Sequence, residues 1–211
     1  MREFCIQFSA RVGFLIFLSS LFIISSFGQN TQTIDCKKKF SFCKASEYTK
    51  IIESNPSDAI AYLNRGLAYQ KEKKYDEAIS DFSRVIELNP KFDRIYGYRG
   101  VVYHLKKEYD LAIADFDKAI ELQPKKPENY HNRGSTYQSK NDYDKALANY
   151  NKAIELAPDK WFYYYVRGYL HYLNGKTSLA EADFKKAKEL ENLEGNKDTI
   201  KIIQPIYPKF F

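Results

Sequence analysis

Residues 77–90 read EAISDFSRVIELNP, and the same frame returns as LAIADFDKAIELQP at 111–124 and KALANYNKAIELAP at 145–158. A fourth version, LAEADFKKAKELEN, occupies 179–192. The offset is 34 residues each time, without insertions. Self-similarity at such a period marks an array of small units that bury a core only by stacking on one another. Extended outward, the frame defines four copies at 59–92, 93–126, 127–160 and 161–192. The segment 43–58 aligns with the second half of a copy, which makes it a half repeat.

The columns of this frame have physical roles. Gly66, Gly100, Gly134 and Gly168 share one column, and Ala78, Ala112, Ala146 and Ala180 another. Phe82, Phe116, Tyr150 and Phe184 form a third, and Pro90, Pro124 and Pro158 close the first three copies. Each copy divides into a helix A (58–71 in the first) and a helix B (76–88), stopped by the proline, which lacks an N–H. Asp76, Asp110, Asp144 and Ser178 stand where helix B is expected to start, as N-caps. Glycine inside a helix costs about 1 kcal/mol relative to alanine. Its recurrence in helix A therefore predicts a close approach, read here as glycine facing the alanine of helix B.

A small residue, an aromatic, alanine, a second aromatic and proline at fixed places in a 34-residue frame resemble the tetratricopeptide repeat family. The resemblance covers residues 59–192. It implies an all-α fold, a right-handed superhelical solenoid of antiparallel helix pairs, with four full repeats plus the N-terminal half repeat. It also implies a concave side lined by the A helices that binds peptides or protein segments. Carried over by position, the groove candidates are Leu63, Leu67 and Gln70; Val101 and His104; His131, Ser135 and Gln138; and Tyr165, Tyr169 and Tyr172. A known mode of the family grips a terminal carboxylate with Lys, Asn and Arg. Those slots hold Leu63, Leu67, Tyr98, Glu128 and Asn132 here, or Gly97, Val101, Asn132, Phe162 and Val166 one copy later. Neither set is such a clamp.

One column departs from the family pattern. Arg65, Arg99, Arg133 and Arg167 precede the glycines, and Asp81, Asp115, Asn149 and Asp183 follow sixteen residues later. A guanidinium near a core is tolerated when paired, so the two columns predict a structural ladder. Whether the ladder closes within a copy or between neighbours is open from the spacing.

The rest of the chain narrows the function. Of 211 residues, 44% are hydrophobic and 28% charged, the profile of a folded chain. The net charge of +6 is spread over alternating signs, which argues against a nucleic-acid surface. No P-loop, GxGxxG, HExxH or GxSxG motif occurs. The three histidines lack acidic or cysteine partners at ligand spacing. The expectation is a binder, not an enzyme, with no catalytic or metal site and no cofactor. Its partner is a protein or peptide.

Residues 14–27, FLIFLSSLFIISSF, are uncharged and follow Arg2 and Arg11, the anatomy of a signal peptide over 1–28. Cleavage after Gly28 predicts an exported chain, periplasmic or secreted. Retention of the segment as an anchor is the other reading, and the only route to a membrane. Cys36 and Cys43, in the cap or linker at 29–42 and its border, form a possible disulfide if a turn separates them, and are otherwise two thiols. The tail at 193–211 ends in IKIIQPIYPKFF, apolar and broken by two prolines. It either caps the last repeat or docks the chain, as a structural subunit, in an envelope assembly.

Overall fold

Each repeat becomes a helical hairpin whose turns and joints are fixed by local hydrogen bonds. The computed structural model describes residues 44–194, the side chains of 192–194 excepted. The chain divides into two units, Met1–Ser41 and Phe42–Phe211, and the first lies outside the described residues. So do the apolar leader, Cys36, Cys43 and the tail beyond residue 194. Among the described residues there are nine helices and no strand. They are α1 (Ala45–Ser54), α2 (Ala59–Lys71), α3 (Tyr75–Leu88), α4 (Ile95–Leu105), α5 (Tyr109–Leu122), α6 (Pro127–Ser139), α7 (Tyr143–Leu156), α8 (Trp161–Leu173) and α9 (Thr177–Glu194). The hairpins are α2–α3, α4–α5, α6–α7 and α8–α9, each packed on the next, with α1 against α2 as the half repeat. The architecture is an all-α solenoid.

The helix starts correct one expectation. The B helices begin one residue before Asp76, Asp110, Asp144 and Ser178, so these residues lie inside the first turn and cap nothing. Lys74 and Glu108 hold two of the N-cap positions without a side-chain bond, while Asp142 accepts from the Lys145 N–H at 3.3 Å. Freed from capping, Asp76 accepts from Lys106 Nζ of the next repeat at 2.6 Å, and Asp110 likewise from Lys140. Asp58 does cap α2, accepting from the N–H groups of Ile60 and Ala61 at 3.0 and 2.9 Å.

Two residues past the end of each A helix stands a residue with positive φ: Lys73 at 60°, Lys107 at 65°, Asn141 at 62° and Gly175 at 70°. The following N–H reaches back five residues, as from Lys74 to the Tyr69 carbonyl and Glu108 to that of Tyr103, both at 2.9 Å. This is the Schellman closure, which satisfies carbonyls the helix leaves over. At the other joint Tyr96, Tyr130 and Tyr164 each donate to the carbonyl of the proline six residues earlier, at 3.2, 3.0 and 3.2 Å. A tyrosine on each of these A helices thus pins it to the preceding B helix.

The core follows the columns. Ala78, Phe82, Ala112, Phe116, Ala146, Tyr150, Ala180 and Phe184 are at most 1% exposed. Burying one phenylalanine contributes about 1.5–3 kcal/mol. The glycine column has a different partner from the alanine expected. A Cβ at Gly66 would lie 2.6 Å from the Phe82 ring, and one at Gly100 3.0 Å from Phe116. At Gly134 and Gly168 it would meet Tyr150 and Asn149, or Phe184 and Asp183, at 2.9–3.1 Å. The edge of helix B's aromatic ring lies against bare backbone, and the alanine column is fully buried.

The array also ends by substitution. Ile79 and Ile86 of α3 pack into the core shared with the next repeat. The same registers carry Ile113 and Ile120 on α5 and Leu147 and Ile154 on α7, but Glu181 and Lys188 on α9. A fifth hairpin would have to bury both charges, so the polar cap that terminal repeats need lies on α9 itself.

Candidate protein-interaction groove

The A helices are set by the arginine column, whose geometry is a continuous ladder. Arg65 donates from Nε and Nη2 to both oxygens of Asp81 at 2.8 Å, and from Nη1 to Thr49 Oγ1 at 3.1 Å. Arg99 repeats this with Asp115 at 2.8 Å and Ser83 at 2.9 Å. Arg167 does so with Asp183 at 2.8 and 2.6 Å and Asn151 at 2.7 Å. Each rung therefore closes both ways: sixteen residues forward within its repeat and sixteen back to the one before. The carboxylates of Asp81, Asp115 and Asp183 are nearly buried, where a two-pronged charged contact is strong.

The third rung has its charge on the other side. Asn149 offers one oxygen to Arg133 Nε at 2.8 Å, and the carboxylate comes from Asp117 of the preceding repeat, on Nη1. Every arginine thus meets one carboxylate, which lies forward in its own repeat for Arg65, Arg99 and Arg167 and in the preceding repeat for Arg133 alone. The backward column of Thr49, Ser83, Asp117 and Asn151 was missed from sequence. Its signal is a polar residue every 34 positions, weak because four residue types fill it.

This scaffold fixes which face is inner. Among successive helices of the same type, α4 and α6 make more than marginal contact, while no pair of B helices does. The curve closes on the A side. The contacts there are specific: His104 Nδ1 lies 3.0 Å from Thr136 Oγ1, which itself donates to the Asn132 carbonyl at 2.8 Å. His104 therefore donates from Nδ1. His131 lies 3.2 Å from Asn132 Oδ1 through Nδ1, while its Nε2 is buried without a hydrogen-bond partner. Its ring packs against Tyr150, Phe162 and Tyr163, with centroids at 5.8, 5.0 and 5.8 Å. Burial pushes both histidines down to about 4, so both are neutral at pH 7.

The groove candidates divide by depth. Leu63, Leu67, Gln70, Val101, His104, Gln138 and Tyr169 are half-buried, and Tyr172 is exposed. His131, Ser135 and Tyr165 are 4%, 8% and 5% exposed, beneath the inner surface and not on it. Gln138 accepts from the buried Tyr150 hydroxyl at 2.7 Å. The Tyr165 ring packs tilted against Phe184, with centroids 5.7 Å apart, and burial raises its pKa. Sequence reading passed over Ile60 and weighed Phe162 only as a clamp slot, although the two share the helix face of Leu63 and Tyr165 three residues earlier. Ile60 is 39% exposed. The i, i+3 spacing that found the others would have found them.

Along the array the inner face changes character. It is aliphatic at Ile60, Leu63 and Leu67, small at Gly97 beside Val101 with Ser135 sunk beneath, and aromatic at Phe162, Tyr169 and Tyr172 over the sunken Tyr165. A Cβ at Gly97 would meet nothing nearer than Asn129 Oδ1 at 3.5 Å, so the floor has room there. Among the described residues, no three His, Cys, Asp or Glu side chains are grouped to hold a metal ion.

Comparison with known proteins agrees with this geometry. The crystal structure of MamA superposes with a TM-score of 0.66 at 25% identity, over 72% of this chain and 88% of that one. MamA from Desulfovibrio magneticus RS-1, residues 41 to the end, gives 0.66 at 21% identity, over 73% and 85%. YrrB, described as a TPR protein with an unusual peptide-binding site, gives 0.58 at 21% identity, over 73% and 87%. No curated protein sequence matches the chain. Tetratricopeptide repeat models match residues 59–92, 92–159 and 131–193. These matches run without a break over more than half of the 211 residues, and the chain belongs to the tetratricopeptide repeat family.

Proposed function

We propose that this chain is an exported binding module that holds an extended protein segment along the inner face of its A helices. The observation that carries the reading is the sequence of surfaces on that face, aliphatic, then small, then aromatic, on a scaffold made rigid by the arginine ladder. Half-buried neutral side chains supply contact area without the desolvation cost of charge. Tyrosines add a polar tip at low entropy cost. The fold likeness to YrrB, a peptide-binding relative by its description, supports the same use. Nothing in this design needs a cofactor or a catalytic group. Export rests on the apolar segment at 14–27 behind Arg2 and Arg11.

A photoreactive residue at Val101, on the groove floor, tests the binding reading against one at Leu111, which is 51% exposed on helix α5. The expected result is a discrete adduct at Val101 that Leu67→Asp abolishes. Equal adducts at both positions would refute a groove-specific partner. Export is checked by the N-terminal peptide of the protein recovered from its native compartment, expected to start at Gln29.

A further inference from the structure

The last A helix carries an aromatic residue at each position of its inner stripe: Phe162, Tyr169 and Tyr172, with Tyr165 sunk beneath them. Trp161 flanks the strip, with its ring 5.7 Å from Phe162 and 6.5 Å from Tyr165. The corresponding positions of the first repeat are Ile60, Leu63, Leu67 and Gln70, so the strip is no requirement of the fold. It spans about 15 Å of helix at 1.5 Å per residue. Tyr165 forms its floor at 5% exposure, and Tyr172 is 42% exposed at its far end.

We infer that the occupant of this strip is the chain's own segment Ile200–Phe211, which holds the groove's aromatic end until a partner displaces it. The inference rests on the inner face being the binding surface, and commits that surface to an internal competitor. Three observations support it. The first is position. Arg167 meets Asp183, and counting one for one along the antiparallel pair sets Trp161 level with Glu189. Helix α9 is described as far as Glu194, past the level of Trp161, so the chain that follows starts from the end of the hairpin where the strip begins. The second is length. Residues 195–211 reach about 50 Å when extended at ~3.1–3.3 Å each, which covers the crossing of one helix and the whole strip.

The third is chemistry. The segment contains Pro205-Ile-Tyr-Pro208, a pair of prolines at the spacing with which polyproline-type segments dock on aromatic-lined grooves. Prolines stack on tyrosine faces, need no backbone N–H, and lose little entropy on ordering. Tethering adds to this, since a short flexible linker sets an effective concentration on the order of mM. A foreign segment must exceed that to enter.

The experiment uses the full chain with p-benzoylphenylalanine at position 172, as a mixture of isotope-labelled and unlabelled protein. The expected product is a crosslink from position 172 to a peptide within 200–211 of the same chain. Pro205→Ala with Pro208→Ala should lower its yield severalfold while leaving the helical circular dichroism unchanged. Adducts without the tail peptide, hybrid labelled–unlabelled crosslinks, or a yield indifferent to the proline changes would each overturn the inference. The two readings fail separately. Loss of the Val101 adduct with the tail crosslink intact sinks the binding function alone, and the converse result sinks the tail alone.

Discussion

Lowering the pH should unfold this array through His131, and the size of the effect follows from its surroundings. The ring is 4% exposed and enclosed by Tyr150, Phe162 and Tyr163, and its Nε2 has no partner to stabilise a proton. Burial holds its pKa at about 4, against an ordinary 6.5, with the Asn132 contact opposing the shift and His104 adding to it. Between those values the unfolded chain binds a proton that the folded one refuses. The stability is therefore fully present above pH 6.5 and is lost as the pH falls towards 4. At 1.36 kcal/mol per unit, the loss is about 2 kcal/mol at pH 5 and about 3 kcal/mol at pH 4. His131→Phe keeps the ring and removes the titration. Thermal melts of both proteins from pH 7.5 to 4.5 should converge at neutral pH and separate by roughly 4–8 °C at pH 5. Parallel pH profiles for the two proteins would refute the assignment of a neutral, desolvated imidazole.

Other substitutions probe the scaffold. Gly66→Ala drives a methyl into the Phe82 ring at 2.6 Å and should cost about 1–3 kcal/mol, whereas Gly97→Ala, with its nearest neighbour at 3.5 Å, should be neutral or stabilising by up to about 1 kcal/mol in chemical denaturation. Arg99→Met strands the Asp115 carboxylate, itself 6% exposed, and should cost about 3–5 kcal/mol; an unchanged melting temperature would remove the ladder from the stability argument. Asp117→Asn leaves Arg133 with amides alone and should lower the melting temperature, while adding Asn149→Asp returns a carboxylate and should restore it. Lys107→Gly relieves a positive φ of 65° at the Schellman turn and should raise the melting temperature, by about 1 kcal/mol of stability.

The period, the helix content and the identity of the packing columns were legible in the chain itself, because a repeat displays each constraint several times. One glycine at Gly66 is an accident; four at the same phase are a requirement. Pro90, Pro124 and Pro158 likewise announce where helices stop, since proline acts on its own backbone. The pairing of Arg65 with Asp81 was visible as two polar columns, but its backward arm to Thr49 was not, because a hydroxyl, a carboxylate or an amide can each fill that place. Tertiary structure alone decided three further matters. It set which ring lies over each glycine, since that depends on the rotation of one helix against another. It sank His131, Ser135 and Tyr165 below an inner face that helical periodicity would have placed them on, His131 among the rings of Tyr150 and Phe162 and Tyr165 against Phe184. It also turned Asp76 and Asp110 from caps into bridges to the next repeat. A side chain's period is a property of its own helix, whereas its depth and its partner depend on what the neighbouring helices bring against it.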